Sequence, residues 1–276
     1  MVSVRGVFRT IHDILYFCYL AEGRDKLRVF TSFLPNLFPR TLRGKYSILP
    51  RISERLKSGI VRGITLRTWG FRFLVVDREG VRIVSPLFES WMWNFLKPKR
   101  GDVFLDVGAH VGKYTCIVAK MVGGKGKVIA LEPHPTNYYL LTKNICANKL
   151  DNVIALNVAA WNENSELKLY SGSTSGRHSV KYVRDGGYIT VKARRIDDIL
   201  EELNIDRVDW VKIDAEGAEY EVLQGMERTL RKCRCKLILE CRRENLGKVI
   251  SFLNILGYRA KIVKESGIPY LFCYPL

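Results

Sequence analysis

From Gly101 onward the chain alternates short β-branched and aliphatic runs with longer amphipathic stretches, and that rhythm leaves it few folds. Val103–Val107, Lys127–Leu131, Val153–Val158, Val208–Ile213 and Lys236–Glu240 read as strands. Residues 113–121 carry the apolar stripe Tyr114, Ile117, Val118 and Met121, and 135–148 opens on Pro135, which suits the first turn of a helix. A further helix carries Tyr220, Leu223, Met226 and Leu230, a short one covers 246–256, and Tyr258–Val263 with Tyr270–Tyr274 forms a closing pair. Within 167–191, strand-like flanks enclose a Ser/Gly-rich loop. Strands and helices in this alternation make an α/β fold with a mostly parallel sheet covered on both faces.

The first hundred residues have another character. Ile11, Ile14, Leu15, Cys18 and Tyr19 share one helical face, and Pro35, Pro39 and Pro50 mark an extended connection. Residues 59–85 read as an antiparallel meander with a turn at Asp77-Arg78-Glu79-Gly80, followed by a helix over Pro86–Leu96. The expected division is a basic helical extension (1–58), a β-meander and helix leading into the core (59–100), and the main domain (101–276). Of the net charge of +17, residues 1–100 hold +12. Such a field attracts phosphate, anionic glycans or an anionic membrane surface. The longest apolar run, Ile14–Ala21, falls short of the roughly 20 residues that cross a bilayer, so peripheral contact is the only membrane role expected. Seven scattered cysteines make no disulfide framework, which points to a reducing, cytoplasmic setting. Cys233, Cys235 and Cys241 lack a nearby histidine and are not read as a zinc site.

In a sheet of this kind ligands bind beyond the carboxyl ends of the strands. The turn after the first strand, Asp106-Val107-Gly108-Ala109-His110-Val111-Gly112, lacks the second glycine of a dinucleotide turn and the lysine of a phosphate loop. Asp106 would repel a pyrophosphate, but it suits the ammonium and sulfonium of S-adenosylmethionine, whose carboxylate can meet the amides of the following helix. Glu132, before Pro133 at the end of the second strand, can accept both ribose hydroxyls. Ala159 and Ala160 leave room for an adenine that Trp161 can cover. The expected donor-binding residues are thus Asp106, Gly108, Ala109, His110, Gly112, Glu132, Pro133, Ala159 and Ala160.

Val103 to Gly112 resembles the first motif of class I S-adenosylmethionine-dependent methyltransferases. The run Val208-Asp209-Trp210-Val211-Lys212-Ile213-Asp214-Ala215-Glu216-Gly217-Ala218-Glu219-Tyr220, followed by Val222-Leu223-Gln224-Gly225, resembles the signature of the FkbM family. Leu131-Glu132-Pro133, Asn144, Asn148 and Arg195-Ile196-Asp197-Asp198 agree with it, and the family has Asn where this chain has His110. The resemblance implies a Rossmann-like sheet of seven strands with one antiparallel strand in the last pair. It also implies methylation of hydroxyl groups on sugars, glycolipids or small metabolites.

Removing a hydroxyl proton near neutral pH calls for a base or a metal. Asp214 and Glu240, at the ends of the fourth and fifth strands, are the base candidates, with His178 in the Ser/Gly-rich loop as a third. Asp214 equally suits the cap of the following helix. Lys212 is expected to pair with a neighbouring carboxylate. Asp214 with Glu240 could hold Mg²⁺, but a divalent cation is the disfavoured alternative and no metal ligand is assigned. Two other functions compete. An RNA methyltransferase would use the basic N-terminal third and Phe71-Arg72-Phe73 or Trp91-Met92-Trp93 for stacking, yet the chain has no Pro-Pro motif after the fourth strand. A non-catalytic protein docking at membranes through its basic N-terminus would not need an intact Asp106, Gly108, Gly112 and Glu132.

Overall fold

The computed structural model describes residues 15–27, 29, 63–172, 175–176, 178–183 and 187–276. Ile11 and Ile14 of the first helical stripe, the Pro35–Pro50 connection and most of the basic extension lie outside these residues. The chain divides into two units, Met1–Phe88 and Glu89–Leu276.

In the first unit, β1 (Ile64–Thr68) and β2 (Phe71–Val75) form an antiparallel hairpin with alternate residues buried. The expected third strand is a helix, α1 (Arg78–Val84). Asp77 is its cap rather than a turn residue: its carboxylate accepts from the Gly80 amide at 2.7 Å, which satisfies a free donor of the first turn.

The second unit contains a seven-stranded sheet. Its strands are β3 (Val103–Val107), β4 (Lys127–Leu131), β5 (Val153–Leu156), β9 (Trp210–Ile213), β10 (Lys236–Glu240), β11 (Tyr258–Lys264) and β12 (Tyr270–Pro275), in the spatial order β11-β12-β10-β9-β3-β4-β5. β12 runs antiparallel to both neighbours, and the other pairings from β10 to β5 are parallel. The chain builds outward from β3 through β4 to β5 and then returns to place β9 on the other side of β3. The switch point therefore falls between β3 and its two neighbours.

Strand alternation sorts side chains onto two faces. Leu105, Val107, Ile129, Leu131, Val211, Ile213, Leu237 and Leu239 pack against α4 (Ile196–Glu202), α5 (Glu219–Gln224), α6 (Glu227–Cys233) and α7 (Leu246–Ile255). Phe104, Val128, Trp210 and Ile238 pack on the opposite face against α2 (Lys113–Val122), Met92 and Leu96, while Ala130 meets Leu141 of α3 (Pro135–Ala147). This second face continues into the polar residues Asp106, Lys212 and Glu240.

Three elements differ from the sequence reading. Residues 86–96 form only a short 3-10 helix, Ser90–Asn94, because Glu89 before it takes a left-handed conformation at φ 52°. The helix expected after β9 is two helices, with the free amides of α6 capped by Asp197: Arg228 N and Thr229 N donate to its carboxylate at 3.0 and 2.9 Å. The third strand stops at Leu156, and β6 (Ala159–Ala160) joins β7 (Ser165–Tyr170) and β8 (Tyr188–Arg194) in a separate small sheet.

Candidate active site

Register alone assembles a polar row at the carboxyl edge of the sheet. Asp106 stands opposite Lys212, Ile238 is level with Lys212, and Glu240 opposite Tyr270 lies one pleat further on, where Asp214 follows Ile213. Because 106, 212 and 240 alternate in phase with Phe104, Trp210 and Ile238, their side chains lie on the face covered by α2.

Lys212 is the hub. Its buried ammonium lies 3.5 Å from Asp214 Oδ2, 4.0 Å from Asp106 Oδ1 and 5.1 Å from the centre of the Tyr114 ring. Burial alone would lower its pKa, but the carboxylates around it, Asp214 and Asp106 first, raise it overall. The ion pair expected for Lys212 thus has two partners. Asp106 is less open than a strand-tip residue would be. It is 0% exposed, and its Oδ2 accepts from Thr115 Oγ1 at 2.6 Å. Burial raises its pKa against the pull of Lys212 and Thr115.

Glu240 faces Asp214 and Glu216, and carboxylate oxygens of the three come within 4.8 Å of one another. Each already has a partner. Lys212 serves Asp214, Arg242 Nη2 lies 2.8 Å from Glu216 Oε2, and Tyr270 Oη is 2.6 Å from Glu240 Oε2. The three oxygens are thus close enough to share a cation, and each also has a partner within the chain. Burial, with Asp214 close by, pushes the Glu240 carboxyl up to about 8. Glu219, the last acid of the 208–220 run, turns away: it accepts from Gly217 N at 2.6 Å and Asn245 Nδ2 at 2.8 Å, and so braces the loop before α5.

Sequence reasoning missed three members of this row. Glu89 Oε2 accepts from Tyr114 Oη at 2.7 Å, and Glu89 Oε1 is hydrogen-bonded to Tyr270 Oη. Tyr270 was legible as a strand residue, and a reversed last strand would have set it beside Glu240. Tyr114 was legible as the start of a helix. Glu89, in an irregular left-handed turn, left no periodic signal.

Most of the residues expected to bind the donor gather around the β3–α2 turn. Gly108 has φ 75°, and a Cβ there would come within 2.0 Å of the Asp214 carbonyl oxygen, so only glycine lets the two loops touch. Gly112, at φ 93°, starts α2, and Ala109 is buried against Ala130 and Leu141. Glu132 is buried and ties two loops together: His110 N donates to Oε2 at 2.8 Å and His134 N to Oε1 at 2.9 Å. Burial lifts its carboxyl to about 7 even though these amides favour the anion. Pro133 O accepts from Asn157 Nδ2 at 2.9 Å. His110 Nε2 lies 2.9 Å from Ser175 Oγ, and Asn137 Nδ2 donates to Ser175 O at 2.9 Å, so the Ser/Gly-rich loop is fastened to this end of the site.

His178 belongs to that fastening. Its ring stacks on His134 with centroids 3.9 Å apart and planes 9° from parallel, beside Glu132 rather than within the Asp214–Glu240 row. Ala159 and Ala160 sit in β6. Ala159 packs with Leu169, Val191 and Ala193, and Ala160 packs in the main core, positions where small side chains admit β8.

A profile of the methyltransferase FkbM domain matches residues 106–260. The hexuronic acid methyltransferase AglP of Haloferax volcanii is 30% identical over 186 residues, covering 66% of this chain and 70% of its own. The 2-O-methyltransferase NoeI of Sinorhizobium fredii is 26% identical over 201 residues, 66% of this chain and 79% of its own. The crystal structure of an FkbM methyltransferase from Methylobacillus flagellatus superposes with a TM-score of 0.52 at 16% identity, over 98% of this chain, which spans 60% of that one. Among the described residues no helix is long and apolar enough to cross a membrane. With the profile covering more than half of its length, the chain belongs to the FkbM family of S-adenosylmethionine-dependent methyltransferases.

Proposed function

We propose that this chain transfers a methyl group to a hydroxyl of a sugar, glycolipid or small metabolite, with Asp214 and Glu240 at the acceptor oxygen and Glu132 on the donor's ribose. The observation that carries this reading is the pairing of Asp214 and Glu240 at the edges of adjacent strands, beside the switch point where such sheets take their ligands. The names of two relatives, a hexuronic acid methyltransferase and a 2-O-methyltransferase, support a sugar as acceptor.

The residues fit a cationic donor. Asp106 Oδ1 is buried and accepts no hydrogen bond among the described residues, and five acids (Asp106, Asp214, Glu216, Glu240 and Glu89) share Lys212 and Arg242. When bound, S-adenosylmethionine supplies a methyl group already activated by its sulfonium. The chain's own residues then have to align the acceptor oxygen and take its proton, and alignment alone accounts for a large part of such accelerations. Asp106, Gly108, Ala109, His110, Gly112, Pro133, Ala159 and Ala160 complete the proposed donor site, with Ser175 bonded to His110 and His178 stacked on His134 at its edge.

Calorimetry with S-adenosylmethionine and its demethylated product, followed by transfer of labelled methyl to a panel of hexuronic acid and neutral sugar glycosides, tests the reading. Binding of both and labelling of a glycoside are expected. Absence of donor binding rejects the function, and labelling of RNA in preference to every glycoside reassigns the acceptor.

A further inference from the structure

Tyr270 has one phenolic hydrogen and two carboxyl neighbours. Its Oη lies 2.6 Å from Glu240 Oε2 and is also hydrogen-bonded to Glu89 Oε1. One phenolic hydrogen fully serves one acceptor at a time, and both contacts are satisfied when one of the two carboxyl groups holds a proton and donates it to the Tyr270 oxygen. The other oxygen of Glu89 accepts from Tyr114 Oη at 2.7 Å, so Glu89 is placed to accept from two phenols. Glu240 is then the proton holder.

We propose that Glu240, Tyr270 and Glu89 form a preloaded proton relay, in which Glu89 is the final acceptor of the proton lost by the acceptor hydroxyl. The inference rests on the methyl transfer proposed above. A neutral carboxyl group can take a proton on one oxygen while it releases another from the second. The acceptor's proton passes to Glu240 Oε1 as the proton on Glu240 Oε2 moves to Tyr270 Oη and the Tyr270 phenolic proton moves to the Glu89 carboxylate. The acceptor oxygen keeps the electron pair of its O–H bond and forms the new O–C bond. The methyl–sulfur bond of the sulfonium donor breaks with its pair left on sulfur. One proton thus crosses from the acceptor to Glu89, and Glu240 and Tyr270 end with as many protons as they began with. Glu89 and Tyr270 act through Glu240 and are positioning residues.

The surroundings of Glu240 agree with a held proton. Facing it are Asp214 and Glu216 from the loop after β9, Lys212 from β9, Tyr270 from β12 and Glu89, while Lys264 Nζ lies 5.7 Å from the centre of the Tyr270 ring. A third free carboxylate beside Asp214 and Glu216 would be repelled by both.

Infrared titration of the donor-free chain reads the relay without any acceptor. Near neutral pH the wild type should show protonated-carboxyl absorption, to which buried Glu132 also contributes, and Glu240→Gln should remove the component that titrates last. Tyr270→Phe keeps the ring against Trp91, 4.9 Å between centroids, and takes away only the hydroxyl. It should lower the midpoint of that component by about one pH unit, because protonated Glu240 loses the oxygen it donates to. Glu89→Gln should lower the midpoint as well, by removing a neighbouring negative charge. Protonated-carboxyl absorption left unchanged by Glu240→Gln, a Tyr270→Phe midpoint that rises or stays put, or a Glu89→Gln midpoint equal to the wild type's overturns the relay. Calorimetry on the same samples separates the two proposals: a wild type that does not bind S-adenosylmethionine counts against methyl transfer, whereas an unmoved midpoint in a donor-binding protein counts against the relay alone.

Discussion

Lys212 shows how one side chain can decide whether a site full of acids is stable. Its ammonium is buried between Asp106 and Asp214 and lies over the Tyr114 ring. Removing one partner of a buried ion pair costs about 3–5 kcal/mol, since the remaining charge stays desolvated. Lys212→Met should lose a comparable amount of unfolding free energy in urea at pH 7, and the loss should shrink as acid protonates the two orphaned aspartates. A loss that does not depend on pH would mean that packing, not charge, is what Lys212 supplies. Glu132 is the corresponding residue on the donor side. Glu132→Gln keeps the size but removes the charge, and hydrogen bonds to charged groups contribute about 1.5–3 kcal/mol. Calorimetry should therefore show S-adenosylmethionine affinity reduced more than about tenfold.

Among the elements, the joint between α5 and α6 carries an instructive constraint. Gly225 has an ordinary φ of −71°, yet a Cβ there would lie 1.9 Å from the Trp161 carbonyl oxygen, so the signature glycine is required by close approach and not by a turn. Gly225→Ala should destabilise by more than about 3 kcal/mol, the range reserved for steric conflict in a core. Gly247→Ala is the control: it sits in α7 with nothing within 4 Å of the added carbon and should gain up to about 1 kcal/mol from helix propensity. Thermal melts of the two variants moving in opposite directions would establish the contrast. The elements also show where sequence reasoning reaches its limit. The strands after Gly101, α2 and α3, and the acids at the ends of β3, β4, β9 and β10 were legible, because periodicity and strand ends are local properties. The capping of α6 by Asp197 was not, since the carboxylate and the amides it serves are 31 and 32 residues apart. Neither was the joining of Glu89 to Tyr270 across 181 residues. Such contacts depend on sheet order and on one reversed strand, and no window of sequence contains them.

For the whole molecule, two buried carboxyl groups make stability depend on pH in an unusual direction. Glu240 and Glu132 have folded-state values of about 8 and about 7, above the ordinary carboxyl value of 4.5. At these two groups the folded chain therefore binds more protons than the unfolded chain between 4.5 and those values. The stability associated with these groups is fully present below 4.5 and is lost as pH rises through about 7 and about 8. The melting temperature of Glu240→Gln should consequently gain on that of the wild type as pH is raised from about 5 to 8, since the amide has no proton to lose. A constant difference across that range would show that Glu240 titrates normally.

The reversal of β12 has a consequence for the order in which the site is made. Tyr270 leaves the ribosome 30 residues after Glu240, the acid it stands beside. Every parallel strand of the sheet can already be in place while Glu240 still lacks its phenol. A nascent chain halted before β12 would carry Asp214 and Glu240 but not the phenol that joins Glu240 to Glu89, so the proposed relay is completed only when the closing hairpin has been synthesised.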